Sequence, residues 1–251
     1  NFHIATASRD HTVKLWESGT LEQMGITFKG HKKRVDRLAF HPDSLRIASA
    51  SADLTARIWS LDHPESTVVL KGYPSVANNR ARDRLLGDVS SVHFTPDGKG
   101  LWTGAKDMDG AYQPSISHIK LGGVRSLEFQ PVKLWDWQNG HKKWGIPDLP
   151  GSVEKLMIST SNHRLLVFPD GRYKSGVIDG RGTTIQGTHQ QLKVPRDPYL
   201  YDPKTKKLVS ILKGYSQQID QAVFSPNGDY LALSDKLDEV RVYRSERSEE
   251  R

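Results

Sequence analysis

The sequence predicts an all-β protein built from a repeated unit of four short antiparallel strands, and three observations predict it. The stretch IATASRDHTVKLW at Ile4–Trp16 returns as IASASADLTARIW at Ile47–Trp59, 43 residues later. The alternating stretch VDRLAFHPD at Val35 returns as VSSVHFTPDG at Val89 and IDQAVFSPNG at Ile219. Aromatic residues close β-type stretches at Trp16, Trp59, Trp135, Tyr201 and Tyr243. A period of about 40 to 45 residues marks stacked supersecondary units, none of which buries its apolar face alone.

Each element follows from local chemistry. Alternation in VDRLAF predicts a first strand with one buried face, and Pro followed by Asp or Asn, usually with Gly, predicts the tight turn that ends it. The small residues of IASAS form the second strand, Asp53 marks the next turn, and TARIW forms the third strand. STVVLKG and KKLVSILKG close two of the units as fourth strands.

The composition is that of a soluble globular chain: 251 residues, 36% hydrophobic and 26% charged. No apolar run approaches the roughly 18 residues of a membrane helix, and NFHIATASRD lacks a signal-peptide layout, so an intracellular protein, cytoplasmic or nuclear and with no membrane partner, is expected. The absence of cysteine excludes disulfides, thiolate catalysis and cysteine-ligated metals. The net charge of +7 is spread evenly: residues 1–125 carry 17 basic against 13 acidic residues, and residues 126–251 carry 19 against 16. Such a charge attracts acidic partners at long range without forming a basic tail.

These residues resemble the WD-repeat β-propeller family over most of the chain. The most complete unit runs from Gly30-His31 through AFHPD and IASASAD to ARIW. The resemblance implies a toroid of four-stranded blades, each with a hydrogen-bonded set inside it: here His31, Ser49, Asp53 and Trp59, with Ser51 as the alternative hydroxyl. A buried carboxylate and indole N–H in an all-β layer must in any case find partners or cost about 1–3 kcal/mol each. Other units depart from the pattern: Tyr215 stands where His31 would be, Tyr201 and Tyr243 replace Trp, and Leu233 and Leu237 replace Ser and Asp.

VRSLEFQP at Val124–Pro131 matches the first-strand formula but runs directly into VKLWDW, a third strand. Either an insertion imitates a strand or chain is missing there. The expected organisation is a propeller over residues 1–244, incomplete at its N-terminus and near 131/132, followed by a charged tail at 245–251. Five third strands are visible, the interrupted unit suggests a sixth blade, and seven would require further chain.

Aromatic spacings of 43, 76, 66 and 42 residues locate the insertions at Gly72–Gly87, Asp107–Pro131 and Pro169–Arg196. In an up-and-down blade, the loop entering the first strand and the loop joining the second to the third lie on one face, so all three insertions crowd that face. Their residues Arg80, Arg82, Arg84, Tyr112, Arg172, Tyr173, Lys174, Arg181, Lys193 and Arg196 are the candidate partner-binding set, and they make the face basic. Long loops on a rigid scaffold commonly carry binding.

No catalytic pattern is present: there is no GxSxG turn, GxxxxGK loop or HExxH pair, and no Glu closes a calcium loop after Asp107-Met108-Asp109-Gly110. A non-enzyme is expected, without metal, cofactor or small-molecule substrate. Two readings stand: a scaffold that binds acidic segments of other proteins, and a subunit of a nucleic-acid assembly whose arginines contact phosphates.

Overall fold

The computed structural model describes residues 3–72, 88–106, 130–146, 149, 152–170, 172–175, 190–193, 197–214, 219–236 and 239–245. Twenty strands and no helix are found among them, so no described helix is long and apolar enough to cross a membrane.

The strands form five antiparallel sheets and one small ladder among the described residues. The first sheet is β1 (His3–Ala7), β2 (Val13–Glu17) and β3 (Gln23–Phe28). The second is β4 (Val35–Phe40), β5 (Arg46–Ser51), β6 (Thr55–Ser60) and β7 (Thr67–Lys71). The third is β8 (Asp88–Phe94), β9 (Leu101–Lys106), β10 (Val132–Asp136) and β11 (His141–Ile146). The fourth is β12 (Val153–Ile158), β13 (Leu165–Pro169), β16 (Tyr199–Asp202) and β17 (Lys207–Ile211), and β14 (Arg172–Ser175) with β15 (Gln190–Lys193) forms the ladder between its middle strands. The fifth is β18 (Ile219–Phe224), β19 (Tyr230–Asp235) and β20 (Val240–Arg244).

The registers repeat as the sequence does. Ile4 pairs with Trp16, Ile47 with Trp59, Leu101 with Trp135, Leu165 with Tyr201 and Leu231 with Tyr243. The turn after the second strand repeats too: His11 and Leu54 both adopt left-handed backbone, with φ of 74° and 70°. Each follows an Asp whose side chain accepts the amide two residues on, Thr12 at 3.0 Å from Asp10 and Thr55 at 3.0 Å from Asp53. Such Asx turns satisfy the backbone locally where the ladder stops.

The second strands of the three middle sheets, β5, β9 and β13, are buried on both faces, which explains their small or continuously apolar sequences, whereas β1 and β19 in the outer sheets alternate. Ile47 packs with Trp59 toward Val13, Leu15 and Phe28 of the first sheet, while Ala48 and Ala50 pack toward Val92, Phe94 and Trp135 of the third. Trp102 of the third sheet joins Leu156, Leu165 and Tyr201 of the fourth. Leu166 and Phe168 of the fourth join Leu231 and Leu233 of the fifth. The core is thus four apolar layers, each between consecutive sheets, consistent with packed propeller blades.

Across the interrupted unit, β9 pairs directly with β10 in a complete four-stranded sheet, so VKLWDW belongs to the blade begun by β8. Residues 124–129 of VRSLEFQP lie outside the described residues. The insertion at Pro169–Arg196, expected as loop alone, contains the β14–β15 ladder.

Candidate protein-interaction face

In the second sheet the four residues singled out from the repeat meet at the interface with the first. Trp59 Nε1 donates to Ser49 Oγ at 2.8 Å, Ser49 Oγ lies 2.7 Å from His31 Nε2, and His31 Nδ1 lies 2.9 Å from Asp53 Oδ2. One proton assignment satisfies every group: indole to hydroxyl, hydroxyl to imidazole, imidazole to carboxylate. Asp53 also accepts the Lys32 amide at 2.9 Å and the Thr55 hydroxyl at 2.6 Å. Burial pushes its carboxyl up, but the hydrogen bonds from His31, Thr55 and Lys32 outweigh that and hold it well below the usual carboxylate range. Ser51 has a different task, donating to the Arg34 carbonyl at 2.8 Å.

Packing completes the set. The Trp59 ring lies 5.3 Å from Phe28 and edge-on to His31 at 5.9 Å, with the Arg57 guanidinium 5.7 Å from its centre. Gly30, at φ 149°, lets the chain pass beneath Arg57, whose Nη1 would sit 2.7 Å from any Cβ there. Parts of the set recur: Trp16 donates to Thr6 Oγ1 at 2.9 Å and Trp135 to Thr103 Oγ1 at 2.8 Å. At the matching positions the fourth and fifth sheets carry Val167 opposite Tyr199 and Leu233 opposite Arg241.

The three long connections leave the described strands at one end of the sheets. Asp88 pairs with Lys106 across β8 and β9, Lys106 Nζ lies 3.7 Å from Asp170 of the next sheet, and Lys133 donates to the Gly72 carbonyl. Arg34 Nη2 reaches Asp88 at 2.7 Å, tying the second sheet to the third at the same level. Burial pushes the Asp88 carboxyl up even though Arg34 pulls the other way, and burial lowers the Lys133 ammonium to about 8.

Of the candidate partner-binding residues, Arg172, Tyr173, Lys174 and Lys193 lie on the β14–β15 ladder, where Arg172 pairs with Lys193 and Tyr173 with Leu192. Arg80, Arg82, Arg84, Tyr112, Arg181 and Arg196 lie outside the described residues, as does the Asp107–Gly110 stretch.

Two features of this end escaped sequence reasoning. First strands β4, β8, β12 and β18 each carry a β-bulge against their second strand, at Val35/Arg37, Val89/Ser91, Val153/Lys155 and Ile219/Gln221. The residue left out of each ladder is Asp36, Ser90, Glu154 or Asp220, and a bulge re-aims the side chain it carries. All four line two adjoining clefts of about 270 and 230 Å³, together with Arg34, Arg37, Lys106, Lys155 and Lys236. The lining of these clefts therefore mixes both signs of charge, whereas the insertions are predominantly basic. The recurring acidic residue in VDR, VEK and IDQ was the available signal.

At the opposite end, His41 Nε2 and Trp137 Nε1 both lie 2.9 Å from the Gly98 carbonyl, and Asn162 Nδ2 donates to the Gly228 carbonyl at 2.6 Å. First-turn glycines thus accept a side chain of the preceding sheet. Trp102 and Trp137 are buried between consecutive sheets.

Comparison with known proteins agrees with the repeat. A family model described as "WD domain, G-beta repeat" matches residues 1–17 and 23–60. The ribosome biogenesis protein YTM1 of Coccidioides immitis (strain RS) is 33% identical over 213 residues, covering 78% of this chain and 43% of that protein. Pre-mRNA-processing factor 19 of Caenorhabditis elegans is 26% identical over 151 residues, 53% of this chain and 29% of that protein. The WD repeat-containing protein VIP3 of Arabidopsis thaliana is 27% identical over 232 residues, 89% of this chain and 56% of that protein. The chain thus spans less than two thirds of the length of each of these relatives. With the register repeated through five sheets and the family model falling on the first two, the chain belongs to the WD-repeat family.

Proposed function

We propose that this chain is a non-catalytic interaction scaffold, a subunit of a larger complex, which binds an acidic segment of another protein through the basic insertions on one face. The observation that carries this reading is the convergence of the stems of all three insertions on one end of adjoining sheets, at Gly72, Asp88, Lys106 and Asp170. Rigid sheets linked by ion pairs at that level provide a platform on which long basic side chains meet carboxylates with forked hydrogen bonds. Its relatives in ribosome biogenesis and pre-mRNA processing support membership of an assembly and favour the nucleus as its site.

The same relatives favour a second reading, in which Arg172, Lys174 and Lys193 of the β14–β15 ladder contact RNA phosphates. Replacing Arg80, Arg82 and Arg84 together by Glu is the test, read as binding of a labelled Glu-rich peptide and of a labelled single-stranded RNA. Loss of peptide binding with an unchanged melting temperature is the expected result. Retained binding, with loss on charge reversal at Lys204, Lys206 and Lys207 instead, would place the binding face at the other end. RNA binding with a steep logarithmic salt dependence, without peptide binding, favours the second reading.

A further inference from the structure

The pair Asn-Gly occurs twice in the chain, at Asn139-Gly140 between β10 and β11 and at Asn227-Gly228 between β18 and β19. Both glycines adopt left-handed backbone, with φ of 69° and 79°. Their surroundings differ. Gly228 is buried: its N–H donates to the Ser225 carbonyl at 2.8 Å, its carbonyl accepts Asn162, and a Cβ there would meet Ser161 Oγ at 2.3 Å. The Asn227 carboxamide is held as well. Its Oδ1 accepts the Ser225 hydroxyl at 2.7 Å and the Asp229 amide at 3.2 Å, and its Nδ2 donates to Asp229 Oδ2 at 2.5 Å. Asn139 and Gly140 are both exposed, and a Cβ on Gly140 would meet nothing within 4 Å. The Asn139 carboxamide donates to Asp136 Oδ2 at 3.2 Å.

We propose that Asn139 is a site of spontaneous covalent modification that ends mainly in isoaspartate, and that the fold protects Asn227 from the same reaction. The Gly140 amide gives its proton to solvent and attacks Asn139 Cγ. The new N–Cγ bond closes a succinimide as the Cγ–Nδ2 bond breaks and ammonia leaves. Water then opens the ring: at the former main-chain carbonyl it yields isoaspartate, and at Cγ it yields aspartate. Glycine leaves the approach to Cγ clear and lets the backbone turn into it. The addition intermediate is an anion, so nearby charge decides how easily it forms. Lys142 and Lys143 follow the Asn139 pair, whereas Asp229 follows the other and holds its leaving group. At Gly228 the attacking nitrogen is committed to Ser225, and freeing it means lifting the turn off the fourth sheet. Modification at 139 replaces the donor to Asp136 by a second carboxylate, beside Lys143, whose Nζ lies 3.5 Å from Asp136.

The test holds the folded chain at mildly alkaline pH in warm buffer and follows both sites by peptide mass spectrometry. Methyl transfer from S-adenosylmethionine by a protein isoaspartyl methyltransferase identifies the isoaspartate. Asn139 should convert at least about tenfold faster than Asn227, since only the first turn lets the reacting atoms meet. Asn139→Gln, at an exposed turn position, should remove most of the methyl-accepting product. In guanidinium chloride, where the turn contacts are gone, Asn227 should speed up and the gap should narrow. Equal conversion in the folded chain, faster conversion at Asn227, or methyl acceptance that survives Asn139→Gln overturns the proposal. A gap that denaturant leaves unchanged overturns it too, because the neighbouring residues alone would then set the rates.

Discussion

The second and fifth sheets share one backbone register and bury different chemistry. In the second, Ser49 and Trp59 join His31 and Asp53 in a closed hydrogen-bonded set. In the fifth, the same positions hold Leu233 and Tyr243, and Leu233 packs with Leu166 and Phe168 of the preceding sheet. What persists in both is the steric frame: Gly214 lies under Arg241 as Gly30 lies under Arg57. The interface between blades therefore requires shape and burial, while the polar set is one of two ways to fill it. The polar way fixes orientation, because each donor has a single acceptor; the apolar way relies on packing alone.

The largest test of this difference is Trp59→Ala, which removes a fully buried ring, the indole donor to Ser49 and the edge contact with His31. We expect a loss of about 3–5 kcal/mol in urea denaturation, against about half that for Tyr243→Ala at the more open fifth sheet. Equal losses would mean that the polar set adds nothing beyond volume.

Asp53→Ala should cost about 1–3 kcal/mol near neutral pH by leaving His31 and the Lys32 and Thr55 donors without their acceptor. The folded carboxyl titrates below its unfolded value of about 3.9, so its contribution is present above that pH and fades as pH falls further. The gap between native and variant should stay constant above about pH 5 and close in strong acid. A separate acid response sharpens the assignment. Burial of His93 against the fourth sheet lowers its imidazole to about 4, so the unfolded chain binds a proton more readily from about pH 6.5 downward, and stability falls across that window. His93→Gln should flatten the stability profile between about pH 6.5 and 4 while leaving the Asp53 response in place. A single transition removed by either variant would contradict the two-site account.

The smallest effect concerns the left-handed residue after the turn aspartate. His11 is exposed at φ 74°, so His11→Gly should stabilise by up to about 1 kcal/mol. Leu54, at φ 70°, also packs on the core between the second and third sheets, so Leu54→Gly should gain little or lose. Equal shifts in the thermal midpoints would remove this contrast between the two turns.

Much of the fold was legible because a repeat writes the same constraints several times. Alternation in VDRLAF and the turn after it located β4, β8 and β18, and the thirteen-residue copy located β1, β2, β5 and β6. His31, Ser49, Asp53 and Trp59 could be named because the unit resembles the WD-repeat family, which left Ser51 as the alternative hydroxyl. The fourth strands β3 and β11 were harder: QMGITF and HKKWGI are weakly patterned, since an outer strand is held mainly by its neighbour's ladder. The bulges at Asp36, Ser90, Glu154 and Asp220 are a mismatch between two strands, and the first strands carry only a trace of it, the acidic residue recurring in VDR, VEK and IDQ.

The sequence by itself determined the all-β class, the unit and its register, since these depend on local periodicity, and its resemblance to the WD-repeat family named the residues of the second sheet's hydrogen-bonded set, polar groups that must be satisfied once buried. Only the tertiary structure decided which sheet each buried face meets, that Arg34 reaches Asp88 and His41 reaches Gly98, and that β9 runs on to β10 across the long insertion. Those pairings join residues 54, 57 and about 30 positions apart in the chain, and the packing of whole sheets sets them, which no local pattern encodes.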